Sequence, residues 1–284
     1  MATPALRAVR RDLPHTRIAL MGGAPLEPLL ADAGLFDDWV ATASGSGEVA
    51  ANIAAIEDFG ADVALLLPHS FRTAWEIWRA SVPRRIGLTG QFRGWLLTDP
   101  LRRHRLPQGR RAIPMHHEYL EVVASLGASG DGIGSKLGVS EEVVFSATRR
   151  LDALSIGSDR NWIGFHPGAA FGPSKIWPLD QLKVLMGRLA LLVTGDTGPR
   201  HIAAGMGTPQ VVLMGPTSPD YTDAYLETTS VIRREDVDCS PCQQKVCPLG
   251  HHQCMTFIEP EAVIEEVRRW LARASDSSEG AERA

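Results

Sequence analysis

The sequence predicts an α/β fold with parallel sheets, divided into two domains. Apolar runs of strand length, such as residues 61–67 and 190–194, alternate with helical segments along the chain. These runs are almost continuously apolar, which is typical of strands covered by helices on both faces. Several of them end in glycine-containing turns, and 284 residues are the usual length of two domains.

The first half of the chain predicts a Rossmann-like domain over residues 1–157. In order, the elements are a helix at 2–12, a strand at 17–21 that ends at Gly22-Gly23, a helix at 26–33, a strand near Trp39, a helix at 49–59, a strand at 61–67, a helix capped by His69-Ser70, a helix at 116–126 and a helix that begins at Ser140. The polar, turn-like residues 155–161 indicate where this domain ends.

The second half predicts another domain of the same type over residues 158–273. Its elements are strands at 162–165, 190–194, 211–214 and 231–233, with helices at 178–189, after residue 198 and at 258–273. Residues 274–284 are rich in Ser, Glu and Gly and predict a disordered tail.

Composition limits the class of protein. A hydrophobic fraction of 44% and a net charge of −4 describe a soluble globular chain that has no need of nucleic acid as a partner. No apolar run approaches the roughly 20 residues of a membrane span. The first residues, MATPALRAVRRDLP, lack the apolar core of a signal peptide, so we expect a cytoplasmic protein.

The loop Gly195-Asp196-Thr197-Gly198-Pro199-Arg200-His201 is the strongest candidate for a binding site. It follows a strand and opens a helix, which aims backbone N–H groups and the helix dipole at an anion, usually a phosphate. The loop carries more polar side chains than a turn requires, namely those of Asp196, Thr197 and His201. Two alternatives stay open, a turn without a ligand and a core position for His201.

A second loop, residues 165–178, has the same placement between a strand and a helix. It contains Gly168 and Lys175, and a lysine there can reach a phosphate as a mobile point charge. Two such loops at adjacent strand ends favour a shared ligand, for which we expect the diphosphate of a nucleotide sugar.

Together, HPGAAFGPSKIWP and TGDTGPRHIAAGMGTPQVVLMGPTSP resemble glycosyltransferase family nine, the heptosyltransferases of lipopolysaccharide core synthesis. The resemblance runs along nearly the whole chain, and CSPCQQKVCPLGHHQCM resembles the heptosyltransferase II branch. It implies a GT-B architecture, in which two Rossmann-like domains with parallel sheets face a cleft. It also implies inverting transfer of heptose from ADP-heptose to an inner-core sugar, with no cofactor required for catalysis. The acceptor is then an anionic lipid-linked sugar, which allows peripheral contact with the inner face of the inner membrane.

The resemblance also implies roles for individual residues. Thr197 and Gly198 hold the diphosphate, Lys175 neutralises it, and Asp196 and His201 contact donor hydroxyls or phosphate, with Gly168 in the neighbouring loop. Acceptor-side candidates are Ser70, Arg72 and Arg93. For the arginine-rich stretch 84–111 two interpretations stay open, a solvated face and a cationic surface for the acceptor.

Two segments of the family pattern have no counterpart in this sequence. One is a first strand that ends in a Gly-Asp loop bearing the proposed general base; the other is a βα unit between Pro178 and Asp196. We therefore expect both sheets to be short, and we assign no catalytic base. A truncated, non-catalytic nucleotide-sugar-binding remnant is the alternative function. A dinucleotide oxidoreductase is disfavoured because no Gly-x-Gly-x-x-Gly with a following acidic residue occurs.

Four cysteines, Cys239, Cys242, Cys247 and Cys254, lie close together in the sequence near His251 and His252. Such spacing in a cytosolic chain favours a metal over disulfides. A structural metal, reduced thiols packed in a loop and a disulfide all remain open, and a metal-binding module is a further alternative function.

Overall fold

Parallel strands and helices alternate throughout the structure, a computed structural model that describes residues 1–43, 47–102, 105–106, 109–110, 113–132, 134–153, 162–166, 179–221 and 226–281. The chain forms two compact units, Met1–Ile133 and Gly134–Ala284. Along the described ranges, no helix is both long enough and apolar enough to cross a membrane.

The first unit contains five α-helices and seven strands among its described residues. They are α1 (Thr3–Asp12), β1 (Ala19–Gly22), α2 (Glu27–Leu30), β2 (Asp38–Ala41), α3 (Glu48–Phe59), β3 (Val63–Leu66), α4 (Phe71–Arg79), β4 (Arg84–Leu88), β5 (Asp99–Leu101), β6 (Arg105–Leu106), β7 (Gly109–Arg110) and α5 (Met115–Ala124). Strands β1 and β2 pair in parallel, β3, β4 and β5 form a parallel sheet in that order, and β6 and β7 form an antiparallel pair.

The two parallel sheets of the first unit share the same helix layers. Ile18, next to β1, and Leu65 of β3 pack against one cluster formed by α1 and α5. Met21 of β1 and Ala64 of β3 pack against another, which includes Ile56 of α3. Both strands are nevertheless largely half-exposed. Among the described residues, no strand pairing joins β1 to β3, so the parallel strands of this unit form two separate sheets.

The second unit is built around one parallel sheet with the order β11-β10-β9-β8. Its elements are α6 (Glu141–Ala153), β8 (Ile163–His166), α7 (Leu179–Arg188), β9 (Leu191–Gly195), α8 (Gly198–Gly205), β10 (Gln210–Leu213), β11 (Thr229–Ile232), α9 (Gln253–Thr256) and α10 (Pro260–Ala281). Val193 of β9 lies opposite Phe165 of β8 and Val211 of β10. The buried face of this sheet packs against Val267 and Trp270 of α10.

The first compact unit ends earlier than the predicted boundary at residue 157. Residues that precede this boundary belong to the second unit, because they bond to α7: Lys183 Nζ donates to the carbonyl oxygen of Gly138 at 2.8 Å, and Arg188 Nη2 donates to Thr148 Oγ1 at 2.6 Å. α10 continues over residues 274–281, where the sequence predicts a disordered tail. Neither proline nor glycine interrupts this helix between Pro260 and Gly280.

Candidate functional site

The carboxyl ends of β8, β9 and β10 lie at one edge of the second sheet, because the three strands are parallel neighbours. Ligands of open α/β sheets bind at this edge. The loop after β8, with Gly168 and Lys175, lies outside the described residues, so the donor roles of these two residues stay predictions. The loops after β9 and β10 are described, and they form the candidate site.

The β9–α8 loop has the geometry of an anion site. Strand β9 ends at Gly195, and Thr197 is the N-cap of α8 in an extended conformation, without a side-chain cap hydrogen bond. The Thr197 hydroxyl instead lies 3.4 Å from the carbonyl oxygen of Gly195. The first-turn N–H groups of a helix have no helical partners. Among the described residues, no atom lies within 4 Å of the position that a Cβ atom at Gly198 would take.

Asp196 is held by a buried cation. Arg200 is fully buried, and its Nη1 donates to Asp196 Oδ1 at 2.6 Å. The carboxylate itself is 15% exposed. The two residues are four apart and therefore meet across the first turn of α8. Oδ1 of Asp196 thus accepts a hydrogen bond from Arg200 within the loop, and Oδ2 is the atom for the predicted contact with the sugar donor.

Arg200 is the functional residue that sequence reasoning missed, although it stands inside the motif. The spacing i, i+4 between Asp196 and Arg200 was the sequence signal that could have indicated an ion pair. That signal does not reveal burial, which follows from the packing of α8 between β9 and β10. We assign Arg200 the positioning of Asp196.

His201 is half-buried on α8, and burial together with the neighbouring Arg200 lowers its pKa to about 4. The imidazole is therefore neutral at pH 7. It can exchange a hydrogen bond with a hydroxyl or a phosphate oxygen, but it adds no positive charge to the site.

The cysteine segment, residues 239–255, supports the loop after β10. Ser240 Oγ donates to the carbonyl oxygen of Gly215 at 2.8 Å. The backbone N–H of Gln243 donates to the carbonyl oxygen of Pro216, also at 2.8 Å. Gly215 permits the contact, since a Cβ atom there would lie 2.6 Å from Met255 Sδ and 2.9 Å from Cys254 Sγ. From sequence, this segment is predicted to hold a metal or packed thiols, not to contact the site.

The four cysteines are free thiols and half-buried, so the disulfide alternative is wrong. Cys239 Sγ lies 3.7 Å from His251 Nε2. Burial and the three neighbouring thiols raise the pKa of Cys254, whereas surrounding backbone N–H groups, foremost that of His252, lower the pKa of Cys247. Across the described residues, which include all four cysteines, no group of three or more His, Cys, Asp or Glu is placed to hold a metal ion. The structural-metal alternative therefore has no support.

The acceptor-side candidates meet in the first unit, but their environments differ. Ser70 is the N-cap of α4, where its hydroxyl accepts from the Thr73 N–H at 3.2 Å. Arg72 is exposed and paired with Glu48. Arg93 is fully buried, and its guanidinium donates to the carbonyl oxygens of Leu88 at 2.8 Å, of Ser70 at 3.2 Å and of Pro68. Arg93 therefore ties the loop before α4 to the end of β4, whereas Arg72 presents its charge at the surface.

The arginine-rich stretch is not a uniform solvated face. Arg84 pairs with Asp99 at 2.9 Å, and Arg85 donates to the carbonyl oxygens of Val82 and Leu96 at 2.6 and 2.7 Å. These two residues lie on β4, a strand that the sequence analysis did not predict. The side chains of residues 103–112 lie outside the described part of the chain.

A second polar pair adjoins the capped start of α4. His69 Nε2 lies 3.3 Å from Glu118 Oε2 of α5, and both side chains are largely buried. Neither residue was a candidate from sequence, because His69 and Glu118 are 49 positions apart. They meet only when α5 packs beside β3 and β4.

Two parallel α/β units, one of which presents a glycine loop and a helix N-terminus at the carboxyl edge of its sheet, define a protein of the Rossmann-like class. The family is shown by the sequence itself. The model of glycosyltransferase family 9 (heptosyltransferase) matches residues 51–181 and 179–253, and the chain belongs to this family.

Individual relatives agree with the family. The chain is 27% identical over 271 residues to lipopolysaccharide heptosyltransferase 2 of Escherichia coli K12, an alignment that covers 74% of this chain and 75% of the relative. Among solved structures, a family 9 glycosyltransferase from Veillonella parvula superposes with a TM-score of 0.79 at 18% identity, covering 96% of this chain and 93% of the other. The structure of E. coli ADP-heptose heptosyltransferase II gives a TM-score of 0.70 at 23% identity, with coverage of 96% and 95%. The predicted GT-B fold class is confirmed.

Proposed function

We propose that this chain is an inverting glycosyltransferase that moves heptose from ADP-heptose to the inner core of lipopolysaccharide. The observation that carries the proposal is the β9–α8 loop, where an open helix N-terminus stands beside a buried Asp196–Arg200 pair. Family membership and the printed names of the relatives support the choice of donor and acceptor.

The chemistry follows from the charge that develops on the departing ADP. As the bond between the sugar and the diphosphate breaks, negative charge collects on the diphosphate oxygens. Preorganised backbone N–H groups at the start of α8, with the Thr197 hydroxyl, stabilise this charge without reorganisation. Lys175 supplies a cation in the proposal, and neutral His201 and the free oxygen of Asp196 bond to donor hydroxyls. No cofactor takes part.

On the acceptor side, Arg72 is the proposed contact with an anionic sugar, because its side chain is 59% exposed. In this proposal Ser70 and Arg93 do not contact the acceptor but hold the loop before α4 in position, Ser70 as the N-cap and Arg93 through its bond to the Ser70 carbonyl oxygen. The acceptor hydroxyl must lose a proton, and inverting transfer needs a base within hydrogen-bond distance of it. We assign no residue to this role.

The donor site is tested by filling the open space in front of α8. Gly198→Val adds a side chain at a position where no described residue lies within 4 Å, and in the proposal this side chain takes the space of the diphosphate. We expect calorimetric titration to show ADP-heptose binding by the native chain and a loss of about tenfold or more in the variant. UDP- and GDP-sugars serve as donor controls.

Gly134→Val is the matched control, since no described residue lies within 4 Å of its Cβ position either, and Gly134 lies away from the β9–α8 loop in sequence. Equal affinity of the Gly198 and Gly134 variants would refute the donor site. Selective binding without transfer to a core acceptor would favour the non-catalytic remnant over the enzyme.

A further inference from the structure

A histidine–carboxylate pair lies at the carboxyl edge of the β3–β4–β5 sheet. His69 belongs to the loop between β3 and α4, and Glu118 belongs to the first turn of α5. His69 Nε2 lies 3.3 Å from Glu118 Oε2, and the two side chains are 18% and 13% exposed. Ligands of open α/β sheets bind outside the carboxyl ends of the strands. Arg72, the acceptor contact of the proposed function, follows on the first turn of α4, so one short segment carries this contact and the histidine.

The backbone on both sides of His69 is fixed by Arg93. The Arg93 guanidinium is fully buried, and its Nη1 atom donates to the carbonyl oxygens of Pro68 and Ser70. These two residues immediately precede and follow His69. The imidazole is therefore held through its backbone by Arg93 and at its Nε2 atom by Glu118, so its orientation is set before a ligand binds.

Stability gives little reason for this pair. Arg93 already holds the loop, and withdrawing the Glu118 carboxylate from water opposes folding, because its attraction to a partner is offset by its desolvation. A carboxylate beside one nitrogen of an imidazole has a chemical use instead. It fixes the tautomer, and it stabilises the imidazolium that forms when the other nitrogen takes up a proton. With the Nε2–H directed at Glu118, that other nitrogen of His69 is Nδ1.

We propose that His69 accepts the proton of the attacking sugar hydroxyl and that Glu118 positions the imidazole for this step. As the hydroxyl oxygen bonds to the anomeric carbon of heptose, its proton passes to Nδ1 of His69. The bond between that carbon and the diphosphate oxygen breaks, and its electron pair leaves with ADP. The imidazolium lies beside the Glu118 carboxylate and then returns its proton to water. The inference rests on the proposed function and assigns the base that an inverting transfer requires.

The test is a steady-state transfer assay with ADP-heptose and a core acceptor, run beside calorimetric titration of the donor. His69→Ala should lower kcat by about 10²- to 10⁴-fold, the range of general-base catalysis, and leave donor affinity unchanged. Added imidazole should restore part of this kcat. Glu118→Gln keeps the shape of the side chain and removes its charge, so kcat should fall by less than in His69→Ala, at an unchanged KM for the acceptor.

His15→Ala is the control, because His15 is an exposed histidine of the same unit that follows α1, and its kcat should equal that of the native chain. Native kcat in His69→Ala would overturn the inference and leave the proposed function standing. A fall in kcat that imidazole does not reverse, together with a lower urea midpoint, would show a structural histidine and also overturn it. A native chain that binds ADP-heptose without transferring heptose would overturn both the enzyme and its base.

Discussion

Removing Arg200 should separate the two tasks of the β9–α8 loop. Arg200→Met replaces a fully buried guanidinium by an apolar side chain of similar length and leaves the Asp196 carboxylate without its cation. Loss of one partner of a buried pair costs about 3–5 kcal/mol. Because Asp196 is 15% exposed, water partly solvates the abandoned carboxylate, so we expect the lower end of this range, about 3 kcal/mol.

The same substitution should weaken donor binding by a distinct route. Without Arg200, the charge of Asp196 stands unneutralised at the start of α8, where it repels a diphosphate. We expect the affinity for ADP-heptose to fall by about tenfold or more at low salt and the deficit to shrink as salt screens the charge. Urea denaturation measures the stability change, and calorimetric titration at two salt concentrations measures the affinity.

A surface pair of the same kind provides the control. Arg269 pairs with Glu265, four residues away on the same helix, and with Glu266, but its own side chain is 51% exposed and that of Glu265 is 74% exposed. Arg269→Met should cost no more than about 0.5 kcal/mol and leave donor affinity unchanged. If Arg200→Met and Arg269→Met lower the free energy of unfolding equally, the positioning role assigned to Arg200 is refuted.

Two further predictions concern the walls of the same site. Gly215→Ala places a methyl group 2.6 Å from Met255 Sδ, so it should cost about 1–3 kcal/mol in a urea titration and weaken ADP-heptose binding through the β10 loop, whereas Gly134→Ala should do neither. The pKa of His201 is lowered to about 4 from an ordinary value near 6.5, so its neutral form stabilises the fold above pH 6.5 and that contribution is lost as the pH falls toward 4. His201→Gln should therefore lose less stability than the native chain between pH 6.5 and 4, and parallel pH profiles would contradict the burial of this imidazole.

The strands of the second unit were predictable because their signal is local. β9 and β10 are nearly continuous apolar runs, and both are buried on each face. The start of α4 was equally visible, since a serine before an apolar segment is an ordinary N-cap. β4 was not predicted, because Arg84 and Arg85 begin it. Their partners, Asp99 and the carbonyl oxygens of residues 82 and 96, come together only in the folded unit.

The same limit explains the candidate residues. Arg93 has the sequence context of a surface cation, yet the fold surrounds it with carbonyl oxygens. The sequence shows which charged residues lie on loops. Only burial in the folded structure shows whether such a residue can contact a ligand or instead bonds within the protein. Arg72 and Arg93 are 21 positions apart in one arginine-containing region, and only the structure separates an exposed cation from a buried one (93 − 72).

The charge of the donor site follows from how its ionisable groups cancel. A carboxylate at the start of a helix competes with an anionic ligand for the same N–H groups. Arg200 removes that competition, because a 2.6 Å pair inside the loop neutralises Asp196. His201 adds nothing at neutral pH, since its pKa is held near 4. The attraction for a diphosphate then comes from the N–H groups of α8 and, in the proposal, from Lys175. In the proposal, the glycine at position 198 keeps the start of α8 accessible, since it places no side chain beside the first-turn N–H groups.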